Sequence, residues 1–251
     1  GPSAEEIETT DIICNLVAAE LVNDADTLQL GVGMVSGSIG QYLGFKNDLG
    51  VQAELLTGGI ATLVQQGVVT GKYKTIHKRK VVASALVALD EVEMRLIDGN
   101  PTYELYDFGY TDDSRQLIQQ ENFAAINNAL SVDLTGQVCA EALDHRPYTG
   151  VGGQTVFMLA GAYSKGGKSI SVLPSSAVPT GGERVSRVVA TLGPGAAVTV
   201  PRTYVDYVVT EFGIAQLKGK TLQERARALV DISHPDFRDE LEQQARELYK
   251  L

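Results

Sequence analysis

Apolar residues recur every three to four positions between residues 10 and 22. Ile13, Val17 and Leu21 fall on one line with Ile12, Leu16 and Ala19 beside them, and the spacing predicts a helix. Asn23-Asp24-Ala25-Asp26 ends it, and Thr27-Leu28-Gln29-Leu30 reads as a short strand running into Gly31-Val32-Gly33. The pattern then predicts a helix over 36–43, a strand over 51–56 closed by Thr57-Gly58-Gly59, and a helix over 60–66. Residues 81–89 are almost continuously apolar and rich in Val. That suits a strand buried on both faces, although periodicity alone also allows a helix.

Beyond the turn Asp98-Gly99-Asn100-Pro101, residues 103–107 read as a short strand. Residues 123–132 and 137–142 read as paired strands joined at Thr135-Gly136. Gly150-Val151-Gly152-Gly153-Gln154 leads into a helix of small residues over 155–162. Strands are predicted at 168–174, 185–192, 196–200 and 204–210, with a loop over 178–183. The chain finishes in two helices. Thr221 with Glu224 three residues on carries a capping-box signature for the first, and Pro235 sits in the first turn of the second. Strands alternating with helices, with glycine at the junctions, predict an α/β protein with a mostly parallel open sheet flanked by helices. Ligands in such sheets bind outside the carboxyl ends of strands, which directs attention to residues 30–33, 54–59 and 149–154.

Composition narrows the function. The chain has 251 residues, 44% of them hydrophobic and 21% charged, enough for a substantial core. Its formal charge of −10 argues against a nucleic-acid binder, which needs a basic stripe to displace counterions. One basic cluster, Lys72, Lys74, Lys78, Arg79 and Lys80, is either a solvated face or a surface that attracts phosphates. Cys14 and Cys139 lack metal-ligand spacing and read as buried thiols of a reducing, cytoplasmic compartment. No apolar run of about 18 residues exists to span a membrane, and no signal peptide is recognisable. Gly1-Pro2-Ser3 reads as a tag scar, with residues 4–251 expected to be a domain cut from a longer protein.

The residues themselves leave the chemistry open. Gly31 and Gly33 lack the third glycine of a dinucleotide fingerprint, since Ser36 stands there, so a tight strand–helix turn is the default reading. Glu54, amid Val51, Ala53, Leu55 and Leu56, either points to solvent by alternation or projects into a site. Gly152-Gly153 is either a plain turn or a source of backbone N–H donors at a helix start. His77, His145 and His234 show no ligand spacing, so no metal site is expected, and no GxSxG elbow supports a serine triad.

Several longer segments change the balance. LQLGVG (28–33), VQAELLTGGI (51–60), AINNALSVDLTGQV (125–138), YTGVGGQTVF (148–157), VDYVVTEFGIAQLKGKTLQERA (205–226) and ISHPDFR (232–238) together resemble the carboxy-terminal region of the acetyl-CoA hydrolase/transferase family. The resemblance runs over residues 10–251. It implies a CoA-transferase-like fold and a glutamate nucleophile at the position of Glu54. It also implies oxyanion donors in the Gly152-Gly153 backbone, substrate contacts from Gly31, Gly33 and Gln154, and coenzyme A as substrate and covalent intermediate without a metal. The family reaction passes through an acyl-glutamyl anhydride and a glutamyl-CoA thioester.

The chain departs from the family pattern beside this position, with Ala53 before the glutamate, Gly58-Gly59 after it, Ser36, Val156, and Met158-Leu159-Ala160 in the following helix. Those departures suit a more apolar acyl chain, or a carrier other than CoA. Alternatives to a transferase are a hydrolase or acyltransferase domain of a multidomain synthase, and a degenerate scaffold without catalysis. The partners implied are acyl-CoA and carboxylate substrates with an amino-terminal domain or partner subunit; a homo-oligomer and a carrier protein are further options.

Overall fold

The computed structural model describes residues 1–87, 89–143, 145–179 and 181–250. Ala88, Asp144, Thr180 and Leu251 lie outside the described residues, and with them parts of the predicted 81–89 run and 178–183 loop and the end of the 4–251 domain. The chain forms two compact units: residues 1–16, 128–152 and 170–251 make the first, and residues 17–127 and 153–169 the second.

The second unit is built on parallel strands in the order Phe123–Asn128, Thr27–Leu30, Gly50–Gln52, Val81–Ala83, Tyr103–Leu105. Thr27 pairs with Phe123 on one side and Gly50 on the other, and Val51 pairs with Val81. Thr27–Leu30, Gly50–Gln52 and Val81–Ala83 are buried at every residue, as expected of strands covered on both faces; Val81–Ala83 is wholly apolar, whereas the other two carry the buried polar residues Thr27, Gln29 and Gln52. Of the three side-chain amides buried there, Gln29 and Asn127 donate to each other's carbonyl oxygens at 3.1 and 2.8 Å, and Gln52 accepts Lys74 Nζ at 3.1 Å.

Two predicted strands break in two. After Gln52 the chain leaves the main ladder for Ala53 and Glu54, and Leu55–Leu56 then pairs in parallel with Ala85–Leu86. The 81–89 run breaks at Ser84, whose N–H donates to the Glu54 carbonyl at 2.8 Å. The helix Glu91–Ile97, capped by the Asp90 side chain, was not predicted, nor were the one-turn helices Phe108–Thr111 and Ser114–Leu117, capped by Asp107 and Asp113. The predicted helix over 155–162 is Gln154–Tyr163.

A largely buried ion pair lies at the start of strand Thr27–Leu30. Lys168 Nζ donates to Asp26 Oδ2 at 2.7 Å and to the Leu21 carbonyl at 2.7 Å, and the Asp26 side chain is only 4% exposed. Asp26 Oδ2 also accepts the Asn23 N–H at 2.8 Å. Lys168→Met keeps the stem and removes the charge, leaving a buried carboxylate without its cation. Its expected cost is about 3 kcal/mol or more of unfolding free energy, read from a shift in urea midpoint; an unchanged midpoint would show the pair to be dispensable.

The first unit opens with the helix Ala4–Leu16, which starts earlier than predicted, and the rest of the predicted helix is a wider turn, Val17–Leu21, of the second unit. Strand Lys168–Val172 ends in this unit, pairing in parallel with Tyr207–Thr210, which pairs antiparallel with Gly213–Gln216. The predicted hairpin needs correction. Phe123–Asn128 joins the parallel sheet, and Ser131–Asp133 alone pairs antiparallel with Val138–Cys139. Asp133 fixes the turn between them: Oδ1 accepts the Thr135 and Gln137 N–H groups at 2.9 and 3.0 Å, and Oδ2 accepts the Gln137 amide at 2.7 Å. The glycine at 136, with φ of 94°, completes it. The VDLTGQ segment is therefore a turn-building motif in this chain.

Val185–Ser186 and Val188–Val189 replace the predicted strand at 185–192, and from 196–200 only Val200 bridges, to Val138. The C-terminal helices are as predicted. Leu222–Asp231 carries the complete Thr221–Glu224 capping box, and Pro235–Tyr249 begins with Pro235 in its first turn. No helix among the described residues is long and apolar enough to cross a membrane. Both cysteines are buried, and burial pushes the Cys14 thiol up to about 12.

Candidate active site

Glu54 stands where the chain steps from one parallel pairing to another. Gln52 is still opposite Val82 and Leu55 is already opposite Ala85; between them Ala53 and Glu54 have no register partner, although Ala53 N–H still donates to the Val82 carbonyl at 2.9 Å. Freed from strand alternation, the Glu54 side chain turns toward the start of helix Gln154–Tyr163. There Gly153, buried at the N-cap, donates its N–H to Glu54 Oε2 at 3.1 Å. Its carbonyl is held in turn by Ser84 N–H, so the backbone and one carboxylate oxygen are both fixed.

Gly153 is required by what faces its α-carbon. A Cβ there would lie 2.2 Å from Glu54 Oε2, 2.4 Å from Asp112 Oδ2 and 3.0 Å from the Phe157 ring. Two carboxylate oxygens thus converge on one point, the space left by the missing methyl group. Asp112 reaches it from the end of the short helix Phe108–Thr111. Its Oδ1 accepts the Thr111 hydroxyl at 3.0 Å, and Thr111 Oγ1 also meets the Ser84 hydroxyl. Its Oδ2 is buried and makes no hydrogen bond among the described residues. Burial first, and the adjacent Glu54 charge second, push the Asp112 carboxyl up to about 6, against the downward pull of the Thr111 hydroxyl.

Of the residues picked from the sequence, Glu54 and Gly153 are brought together. Gln154 follows as the first residue of the helix, and Gly152 is an exposed residue of the other unit. Gly31 serves a packing need: its N–H donates to the Ile126 carbonyl at 2.8 Å, its carbonyl accepts the Ser36 hydroxyl at 2.7 Å, and a Cβ would lie 2.5 Å from Asn127 Oδ1. Gly33, at φ 142°, accepts the Gly37 N–H at 3.0 Å in the turn that follows, the tight turn of the default reading.

The basic cluster does not form a free cationic face. Lys74 is fully buried, its Nζ donating to the Val51 and Lys80 carbonyls and to Gln52 Oε1, and burial pushes its ammonium down to about 7. Lys80 pairs with Glu104 at 3.2 Å and Lys72 with Asp48 at 3.8 Å, which leaves Lys78 and Arg79 as the exposed remainder. Asp112, Thr111 and Ser84 were missed. Asp112 sits in the polar stretch Thr111-Asp112-Asp113-Ser114, where no local pattern separates it from an ordinary cap such as Asp113.

Residues 92–245 match the family described as the acetyl-CoA hydrolase/transferase C-terminal domain. Over 223 residues the chain is 42% identical to the 4-hydroxybutyrate coenzyme A transferase of Clostridium kluyveri, covering 89% of this chain and 51% of that protein. It is 39% identical over 233 residues to the succinyl-CoA:cyclohexane-1-carboxylate CoA transferase of Geobacter metallireducens, covering 93% and 52%. The crystal structure of RipA from Yersinia pestis superposes with a TM-score of 0.89 at 35% identity, over 100% of this chain and 56% of that one. The chain spans about half the length of the curated relatives it matches.

Proposed function

This chain belongs to the acetyl-CoA hydrolase/transferase family, and from that premise we propose that it carries the nucleophile of an acyl-CoA:carboxylate CoA-transferase, with Glu54 as that residue. The observation that carries the reading is the position of the Glu54 carboxylate. It stands off both ladders, fixed through its own carbonyl, and is held at Oε2 by the Gly153 N–H.

In the proposed cycle a Glu54 oxygen attacks the thioester carbonyl of an acyl-CoA. The carbon–sulfur bond breaks and CoA leaves as the thiolate, giving an acyl-glutamyl anhydride. The thiolate then attacks the glutamyl carbonyl, releases the first carboxylate and leaves a glutamyl-CoA thioester. A second carboxylate runs the two steps backwards and departs as its CoA ester. Splitting the exchange in this way replaces one high barrier with several lower ones. Each addition places negative charge on a carbonyl oxygen, and preorganised N–H groups lower the barrier to it. The Gly153 N–H, which now binds the carboxylate, is released to such an oxygen once Glu54 is esterified. Gly152 remains the second candidate donor, and Gly31, Gly33 and Gln154 remain the candidate substrate contacts.

Coenzyme A is accordingly the co-substrate, with a carboxylate as acceptor. The relatives named above act on 4-hydroxybutyrate and cyclohexane-1-carboxylate. We carry over the class, a monocarboxylate with an aliphatic body, and place the work in the cytoplasm alongside an amino-terminal domain or partner subunit. The test is intact-protein mass spectrometry after incubation with acetyl-CoA and with one longer acyl-CoA. A CoA-sized adduct is expected on the wild-type protein and none on Glu54→Ala. An adduct of the same mass on both proteins would place the nucleophile elsewhere.

A further inference from the structure

We propose that Asp112 is a further catalytic residue of this site: in its protonated form it donates a hydrogen bond to the acyl oxygen while Glu54 attacks. The proposal rests on the reading of Glu54 as nucleophile and adds a second, titrating side chain to it.

Three observations support it. First, Asp112 Oδ2 and Glu54 Oε2 lie within 2.4 Å of the same point above the Gly153 α-carbon, so a substrate carbonyl approached by Glu54 is also approached by Asp112. Second, the two oxygens of Asp112 are unequal. Oδ1 is committed to the Thr111 hydroxyl, whereas Oδ2 is buried and makes no hydrogen bond among the described residues. A buried anionic oxygen without a donor is costly, and protonation converts it from an unmet acceptor into a donor. Third, two carboxylates pressed together do not both ionise easily, so the pair favours a state holding one proton. Burial and the Glu54 charge act in that direction on Asp112.

Among the described residues no cation opposes this. From its own segment the hydroxyl of Thr111 faces Asp112, and the neighbouring Asp113 is taken up by Arg115 at 2.7 Å. Helix Gln154–Tyr163 contributes Gly153 and the Phe157 ring and has no acidic or basic residue in its first turn. Ser84 contributes a hydroxyl through Thr111, and the Glu54 loop contributes the second carboxylate.

In the step itself the Glu54 oxygen–carbon bond forms, and the carbonyl π pair moves onto oxygen under the Asp112 hydroxyl. Collapse restores the carbonyl and expels the CoA thiolate. The proton stays on Asp112 throughout, so no other acid or base is required.

The test compares wild type, Asp112→Asn and Asp112→Ala in a preparation that turns over acyl-CoA, with Glu54 adduct formation followed in parallel. Wild-type kcat/KM is expected to fall about tenfold per pH unit on the alkaline side of the Asp112 titration. Asp112→Asn, an isosteric donor that does not ionise, should lose that limb and keep activity within about tenfold at acidic pH. Asp112→Ala should lose about a hundredfold or more. A wild-type alkaline limb retained in Asp112→Asn would overturn the proposal, as would full activity in Asp112→Ala. A wild-type protein that never forms the Glu54 adduct would overturn the nucleophile assignment instead, so the two failures are distinguishable. A direct reading on the chain alone is the infrared band of carbon-13-labelled aspartic acid. A protonated band lost near pH 6 in wild type and absent from Asp112→Asn is expected; a band already lost below pH 4 would also overturn the proposal.

Discussion

Glu54→Gln is expected to lower CoA transfer by roughly 10⁴- to 10⁶-fold, the range in which loss of one member of a covalent catalytic unit falls. The amide has the same shape and its oxygen can still accept the Gly153 N–H, but it is not a nucleophile toward a thioester. The main-chain bond from Ser84 N–H to the carbonyl at 54 does not depend on the side chain. Stability should therefore not fall, since the amide keeps the Gly153 bond and removes the charge that faces Asp112. Steady-state rates together with a thermal melt separate lost chemistry from lost fold. Activity above one-hundredth of wild type, with a normal melt, would remove Glu54 from the reaction.

The second large effect is expected from a single methyl group. Gly153 has φ −72° and ψ −7°, ordinary right-handed helical values, so Ala fits the backbone without strain and suits the helix that follows. Its Cβ would nonetheless occupy the space in which the Glu54 and Asp112 oxygens meet. Both carboxylates must retreat, by an amount comparable to the shortfall from normal contact. Misplacing a reacting group by about 1 Å costs on the order of a hundredfold in rate. Gly153→Ala should thus fold normally, keep its KM within a few-fold, and lose about a hundredfold in kcat. Wild-type kcat in this variant would show that the convergence of the two carboxylates has no part in catalysis.

Local signals were legible along the chain and distant ones were not. The capping box at Thr221 and Glu224 and the start at Pro235 were readable because every atom involved lies within one turn. The strand at Thr27–Leu30 was readable for the same reason, being bounded by its own turn residues. Glu54 was ambiguous because strand alternation gives it a face only if the strand continues, and whether it continues is decided by partners at 82 and 85. The resemblance to a family gave Glu54 an expected role; the local pattern could not. Asp112 was invisible on both counts. Its neighbours in sequence look like capping aspartates, and its meeting with Glu54 is made by a third segment, at Gly153. The 123–132 run was misread as one hairpin arm because an apolar strand carries no mark of whether its partner is antiparallel and near or parallel and far.

Each unit is assembled from separated stretches of chain, and the second is complete only when residues 153–169 join residues 17–127. On the ribosome, Glu54 and Asp112 are therefore made well before the glycine against which they close. Synthesis proceeds at about 5–20 residues per second, so for some seconds the nascent chain holds both acids without the segment that brings them together. A nascent chain that stops at residue 127 holds Glu54 and Asp112 but not the Gly153 N–H, so the proposed site is assembled only once residues 153–169 have been made.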